Sequence, residues 1–274
     1  MHASVHPRRR YAVQSQSTLA AHASLTSATA SWPTGDQSRT KTERSTMRNQ
    51  ISPLEVSRFL HRHEQAAFQK GIKVSIGFDF HEYVAITEAT PTKGKTSPVF
   101  RPNRSPIKPG EGYWVVGFDN SNEVALVAAA RLYNLRHSNL AEHLQSLRFF
   151  YADPTKHAHP QDSCICKAPS AGTITGKVAY HGDFWVRRDF RGQGMAAVTT
   201  GILLGASLAM WAPDFTCALA GKWTVDKQVY DCPHCEPGGS ILRLVAEGIQ
   251  DDDWLFWRTG EEMIRQIDRH NRSA

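Results

Sequence analysis

Residues Val186 to Ala196, V-R-R-D-F-R-G-Q-G-M-A, join an apolar strand candidate, Val178 to Val186, to an apolar helix candidate, Met195 to Trp211. The turn between them offers backbone N–H groups at the positive end of a helix dipole, a geometry that binds anions. Gly192 and Gly194 carry no Cβ, so the backbone there can approach phosphate oxygens closely and adopt positive φ. Arg191 can brace the turn or contact the phosphate itself. A pyrophosphate fits such a turn, and close packing of a strand against a helix is the plainer use of the same glycines. Other phosphate motifs fail on spacing: no G-x-G-x-x-G is followed by an acid about twenty positions on, and Gly94-Lys95-Thr96 has Ala89 in place of the first glycine of a P-loop.

The spacing Arg191-x-x-Gly194-x-Ala196 after a strand ending in Val186 resembles the acyl-CoA pyrophosphate loop of the GNAT superfamily of N-acyltransferases, whose pattern is Q/R-x-x-G-x-G/A. The resemblance implies an α/β (mixed α+β) fold with a central mixed sheet flanked by helices. It implies transfer of an acyl group, in the first instance acetyl, from acetyl-CoA to an amine. Arg191, Gly192, Gln193, Gly194, Met195 and Ala196 would then cradle the pyrophosphate. Main-chain groups of Phe184, Trp185 and Val186, at the splayed end of the central strand, would polarise the thioester carbonyl, with Arg188 beside the pantetheine. Arg188 stands where the family commonly has Pro. By the same resemblance Tyr230 takes the place of the general acid on the short helix after the next strand, although Lys222 replaces the Asn that usually begins that helix. Packing with a local hydrogen bond is an equal use for Tyr230. For a base, His181 and Asp183 lie at the entry to the cofactor strand, and an imidazole suits proton removal near neutrality. Glu82, Glu123 and bound water are the other options.

These residues need elements to hold them. Ser52-Pro53-Leu54-Glu55 reads as a capping box opening a helix to about Lys70, stopped by Gly71. Strand candidates follow at Ile72 to Phe78 and Tyr83 to Thr87, then a Pro-rich loop over 91–111. Tyr113 to Phe118 and Glu123 to Leu132 flank D-N-S-N as a hairpin, and Ser138 to Phe149 has leucines at helical spacing. Residues 152–175 read as loop. Beyond the motif helix the pattern gives a strand at Phe215 to Ala220, a helix at Lys222 to Tyr230, strands at Ser240 to Ala246 and Trp254 to Trp257, and a helix at Glu261 to His270. Residues 1–46 are expected to form a disordered tail and 47–274 a GNAT-like acyltransferase domain with insertions at about 91–111 and 138–175. Asp251-Asp252-Asp253 reads as a solvated turn.

Composition narrows the class. Among 274 residues, 41% are hydrophobic and 21% charged, as in globular domains, and the longest apolar run, Gly201 to Ala212, is too short to span a bilayer. Six Lys/Arg against Asp36 and Glu43 place +4 of the net +6 in the tail, so the charge argues little for nucleic-acid binding by the body. Five cysteines without a secretory leader point to a reducing cytoplasm. The expected partners are an acyl-CoA and a small-molecule or protein amine, with no membrane, with nucleic acid disfavoured, and with a homodimer open. Lys93, Lys95, Arg101, Arg104 and Lys108 could instead receive an acidic acyl-carrier protein, in an enzyme using that donor or a longer acyl-CoA. Cys164-x-Cys166 and Cys232-x-x-Cys235 suggest a different class, a zinc-stabilised nucleic-acid or protein interaction module; ordinary free thiols are the favoured use of these residues.

Overall fold

The structure is a computed structural model and describes residues 51–273; the tail expected over 1–46 lies outside the described residues. Order begins where the capping box places it. Ser52 accepts from Leu54 N and the Glu55 carboxylate accepts from Ser52 N, with Pro53 opening helix α1, Pro53–Phe68. Strand β1 is Lys73–Gly77. The next segment corrects the strand expected at Tyr83 to Thr87: it lies in helix α2, Phe80–Glu88, capped by the Asp79 carboxylate on His81 N. The β-rich stretch Tyr83-Val84-Ala85-Ile86-Thr87 is helical because the cap starts it and because Phe80, Tyr83 and Thr87 fall on one buried face.

Strands β2, Gly112–Phe118, and β3, Val124–Leu135, form the hairpin, and the Asp119 carboxylate closes its turn by accepting from Ser121 N and Glu123 N. The helix expected over 138–149 is shorter, α3 at Leu140–Gln145, followed by a turn that buries Phe149, Phe150 and Tyr151. Residues 152–175 are not all loop, for they contain helix α4, Pro154–His157, and strand β4, Ser163–Ile165. The central strand β5 is Gly176–Val186, and helix α5, Met195–Trp211, follows it. Then come β6, Phe215–Gly221, helix α6, Lys222–Asp226, β7, His234–Leu244, β8, Ile249–Thr259, and helix α7, Gly260–Arg272.

All eight strands form one mixed sheet in the order β1-β2-β3-β5-β6-β8-β7-β4, antiparallel except where β5 and β6 run side by side. The run of strand, glycine turn, helix, strand, short helix, strand and strand from β5 to β8 is the one the resemblance implies. One face of the sheet, with Tyr113, Leu126, Ala128 and Ala179, packs on Val198, Ile202 and Leu203 of α5. The other face carries an aromatic layer of Tyr83, Phe100, Trp114, Tyr133, Phe149 and Tyr180. Gly201 and Gly205 let α1 lie against α5, because a Cβ would fall 2.3 Å from the His63 ring at the first and 2.7 Å from Leu60 at the second.

The Pro-rich segment is a packed wall on the aromatic face. Pro98, Val99 and Phe100 are buried, and buried Arg131 donates to the Val99 carbonyl (2.8 Å), Ser105 Oγ (2.6 Å) and the Pro106 carbonyl (3.1 Å). Three of its five cations are engaged in internal ion pairs: Lys93 with Asp183, and Arg101 and Arg104 with Glu247.

Candidate active site

Strands β5 and β6 pair only through Val178–Phe215, Ala179–Thr216 and Tyr180–Cys217. Beyond Tyr180 they part. Just past that point β5 is irregular: between the β3 pairs Val127–Trp185 and Ala129–Gly182, the central strand carries one extra residue. Asp183, at φ +53°, forms this bulge; the left-handed region costs Asp less than most side chains. The bulge turns Asp183 toward Tyr83 on the aromatic face and Phe184 toward α5. A cavity of about 690 Å³ opens between the diverging strands, walled by Gly182 and Phe184 of β5, Ala218 to Gly221 of β6, Leu203 and Leu204 of α5, and residues of β8.

The glycine turn follows β5 and opens α5. Gly192 (φ +73°) and Gly194 (φ +79°) are left-handed, and a Cβ on either would meet no protein atom within 4 Å. Gly194 is the N-cap of α5, so the first N–H groups of that helix have no intrahelical acceptor. Arg191 Nε donates to the Val186 carbonyl (2.9 Å), and Gln193 donates to the Asp189 carbonyl, which fixes the turn. Arg187, bound to Asp119 and Asp189, ties it to the hairpin. Arg191, Gly192, Gln193 and Gly194 are exposed, as is Arg188, while Met195 is buried and Ala196 half-buried. Trp185, Val186 and the 188–196 turn stand outside the cavity wall; Phe184 is part of it.

His181 and Asp183 both line the cavity, and both are engaged. Tyr113 Oη donates to the Leu203 carbonyl (2.6 Å), so it accepts from Ser207 Oγ (2.9 Å). Ser207 in turn accepts from His181 Nε2 (2.8 Å), which places the imidazole proton on Nε2. Burial, aided by the Arg258 charge, pulls His181 down to about 3, so the ring is neutral and a weak base. The Asp183 carboxylate accepts from Tyr83 Oη (2.7 Å), Lys93 Nζ (3.0 Å) and Ser97 N (3.1 Å). Burial pushes its carboxyl above the ordinary range, against the pull of Lys93 and these hydrogen bonds. With three donors around it, Asp183 fastens the 93–97 loop to the bulge. Glu82 and Glu123 are exposed and outside the cavity wall.

Tyr230 lies past the end of α6, which is shorter than expected, in the connection to β7. It lines the wedge with its ring edge-on to Phe184 (6.1 Å) and Phe256 (5.2 Å). Burial raises its phenol to about 12, keeping it protonated near neutrality.

The acidic run is the site feature that sequence reading misplaced. Asp251 to Asp253 are not a turn but part of β8, and all three border the cavity. Asp253 lies between Gly221 of β6 and Ser240 of β7. Burial first, then the charges of Asp251 and Asp252, push its carboxyl up to about 7. The alternation Asp251, Asp253, Leu255, Trp257 was the available signal, since every second residue continues the strand back from its apolar end.

The cysteine pairs are dispersed. Cys164 contacts Ser240 Oγ, and Cys232 donates to the Trp257 carbonyl. Among the described residues no three His, Cys, Asp or Glu are grouped to hold a metal ion. Nor, among them, is any helix long and apolar enough to cross a membrane.

No family model and no curated protein matches the chain. Three solved structures illustrate what it is similar to. FeeM, an N-acyl amino acid synthase from uncultured soil microbes, is 11% identical over 70% of this chain and 92% of its own, with a TM-score of 0.40. Arabidopsis thaliana NAA60 in complex with acetyl-CoA is 13% identical over 69% and 98%, with a TM-score of 0.38. Mycobacterium smegmatis RimJ in complex with CoA-disulfide is 13% identical over 81% and 87%, with a TM-score of 0.35.

Proposed function

We propose that this protein is an N-acyltransferase that moves an acyl group, in the first instance acetyl, from coenzyme A to an amine. One observation carries the reading: an open, left-handed glycine turn at the N-terminus of α5 follows a central strand that parts from β6 and is bulged at Asp183. The turn has the attributes of a pyrophosphate cradle, namely N–H groups without intrahelical acceptors and space where a side chain would otherwise stand. Arg191, Gly192, Gln193, Gly194, Met195 and Ala196 hold the pyrophosphate, and Arg188 and Val186 flank the pantetheine. The donor supplies an activated thioester.

Where β5 leaves β6, its edge has no strand partner, and the main-chain groups of Phe184 to Val186 are the candidates to polarise the carbonyl. Tyr230, neutral and directed into the wedge, donates a proton to the departing sulfur. His181, neutral with a lone pair on Nδ1, accepts a hydrogen bond from the amine, and Asp183 maintains the bulge. Acetyl is the simplest donor group; the engagement of Lys93, Arg101 and Arg104 in internal pairs leaves the carrier-protein alternative with little basic surface to rest on.

A thermal-shift titration of the full chain with acetyl-CoA, free CoA and NADH tests this. Stabilisation by both CoA species and none by NADH is the expected result. Indifference to all three overturns the reading.

A further inference from the structure

We propose that Asp253 is a catalytic residue, the group that takes the proton from the acceptor amine, and that the acceptor therefore reaches the cavity as an ammonium ion. This rests on the acyl-transfer reading above. An amine that attacks a thioester must first lose its ammonium proton, so some group in the wedge must hold a lone pair for it. The two titratable groups at the bulge do not serve. Burial makes the His181 imidazole too weak a base to keep the proton, although it can accept a hydrogen bond, and all three donors around Asp183 are already bound to its oxygens.

Asp253 differs in each respect. It lines the same cavity on the wall opposite β5, and its carboxyl has no hydrogen bond or ion pair among the described residues. Its flanking neighbours on β6 and β7, Gly221 and Ser240, bring no charge. From β5 it meets Tyr180, from the segment before β7 Tyr230, and from β4 Cys164, all with raised proton affinity and all neutral near pH 7. Its own strand adds the carboxylates Asp251 and Asp252. The cations of the cavity are Lys95, across the wedge, and Arg258, which donates to the Asp231 carbonyl. An acidic wall with neutral neighbours attracts an ammonium ion and suits a carboxylate that shares its proton with an amine.

The ammonium passes one proton to Asp253, which releases it to solvent. The nitrogen lone pair forms the C–N bond, and the C–S bond breaks with its electron pair on sulfur. Tyr230 gives its phenolic proton to sulfur, and the second amine proton, shed as the amide forms, restores the phenol through solvent.

Three measurements on the full-length protein and its Asp253→Asn variant test the role. Calorimetry with CoA should give the same affinity for both, and failure of the wild type to bind would overturn the acyl-transfer reading itself. Carbon NMR of labelled aspartates should show a carboxyl titrating near pH 7 that disappears in the variant. Turnover of acetyl-CoA with n-butylamine, charged at pH 7, should fall about 100-fold or more in Asp253→Asn, with partial recovery in Asp253→Glu. Turnover with hydroxylamine, already neutral, should change by only a few-fold. CoA binding together with a carboxyl midpoint below about 5, the ordinary carboxylate range, overturns the proposal. So does an Asp253→Asn protein that keeps the wild-type rate and pH profile with n-butylamine.

Discussion

Gly194→Ala separates what the glycine turn does for the fold from what it does for a ligand. At φ +79° an alanine costs roughly 1–2 kcal/mol in backbone strain, but its methyl group would meet no protein atom within 4 Å. In a body of this size that strain lowers Tm by about 2–8 °C. The methyl group projects into the space reserved for phosphate oxygens, so CoA, not the protein, suffers the clash. Wild-type protein at a hundred times the dissociation constant should gain about 2.7 kcal/mol from CoA, and the variant should gain none. Gly110→Ala supplies the matched control: it too is left-handed, at φ +84°, and its Cβ would also point into open space, but it stands in the turn before β2. The control should show a similar loss of Tm and keep the full CoA response. Differential scanning fluorimetry on the three proteins reads both quantities. An intact CoA response in Gly194→Ala would refute the assignment of the turn as a cradle.

Other substitutions probe the supports of the wedge. Lys93→Met leaves Asp183 buried without its counter-ion, both side chains being 6% exposed, and should cost about 3–5 kcal/mol in urea unfolding. Tyr230→Phe should reduce amine-dependent CoA release about 100-fold while calorimetry finds CoA affinity unchanged. Gly201→Ala drives a methyl group into the His63 ring and should cost about 1–3 kcal/mol by overpacking. Acidification should also discriminate. His181 is neutral in the fold down to about pH 3 but charges at about 6.5 when unfolded, so its contribution is present above 6.5 and is lost as pH falls toward 3. Asp253 titrates in the opposite sense, because its raised affinity favours the folded state as pH falls. The informative comparison is therefore His181→Asn against wild type: between pH 6 and 4 the variant should lose less stability, by up to about 1.4 kcal/mol per pH unit. Equal slopes would contradict the burial of a neutral imidazole.

The motif helix was fully legible, Met195 and Trp211 being its observed ends, because a glycine pair and a long apolar run leave little choice. The hairpin was legible because two β-rich segments flank the D-N-S-N turn. Local pattern failed where long-range contacts decide. Tyr83 to Thr87 has strand composition, but Asp79 caps it and the aromatic layer buries it as a helix. Ser163 to Ile165 carries no strand signal of its own, and its conformation is imposed by pairing with Ile241 to Arg243. At the site, Tyr230, His181 and Asp183 line one cavity. Which of them is already engaged was not legible, since that depends on contacts between residues remote in sequence. Nor was Asp253, whose proton affinity arises from burial beside residues remote in sequence.

The placement of β4 bears on how the chain is made. Its sequence precedes the central strand, yet it borders the far side of the sheet, where Cys164 lies opposite Leu242. During synthesis the segment must wait until the β7 residues have left the ribosome, whereas β1, β2, β3 and β5 can already assemble into an antiparallel platform. A strand made early in the sequence thus pairs only with one made late. Once seated, it shields hydrogen-bonding groups of β7 that would otherwise recruit strands from other molecules. The inserted segment thereby covers part of that edge with three residues of its own.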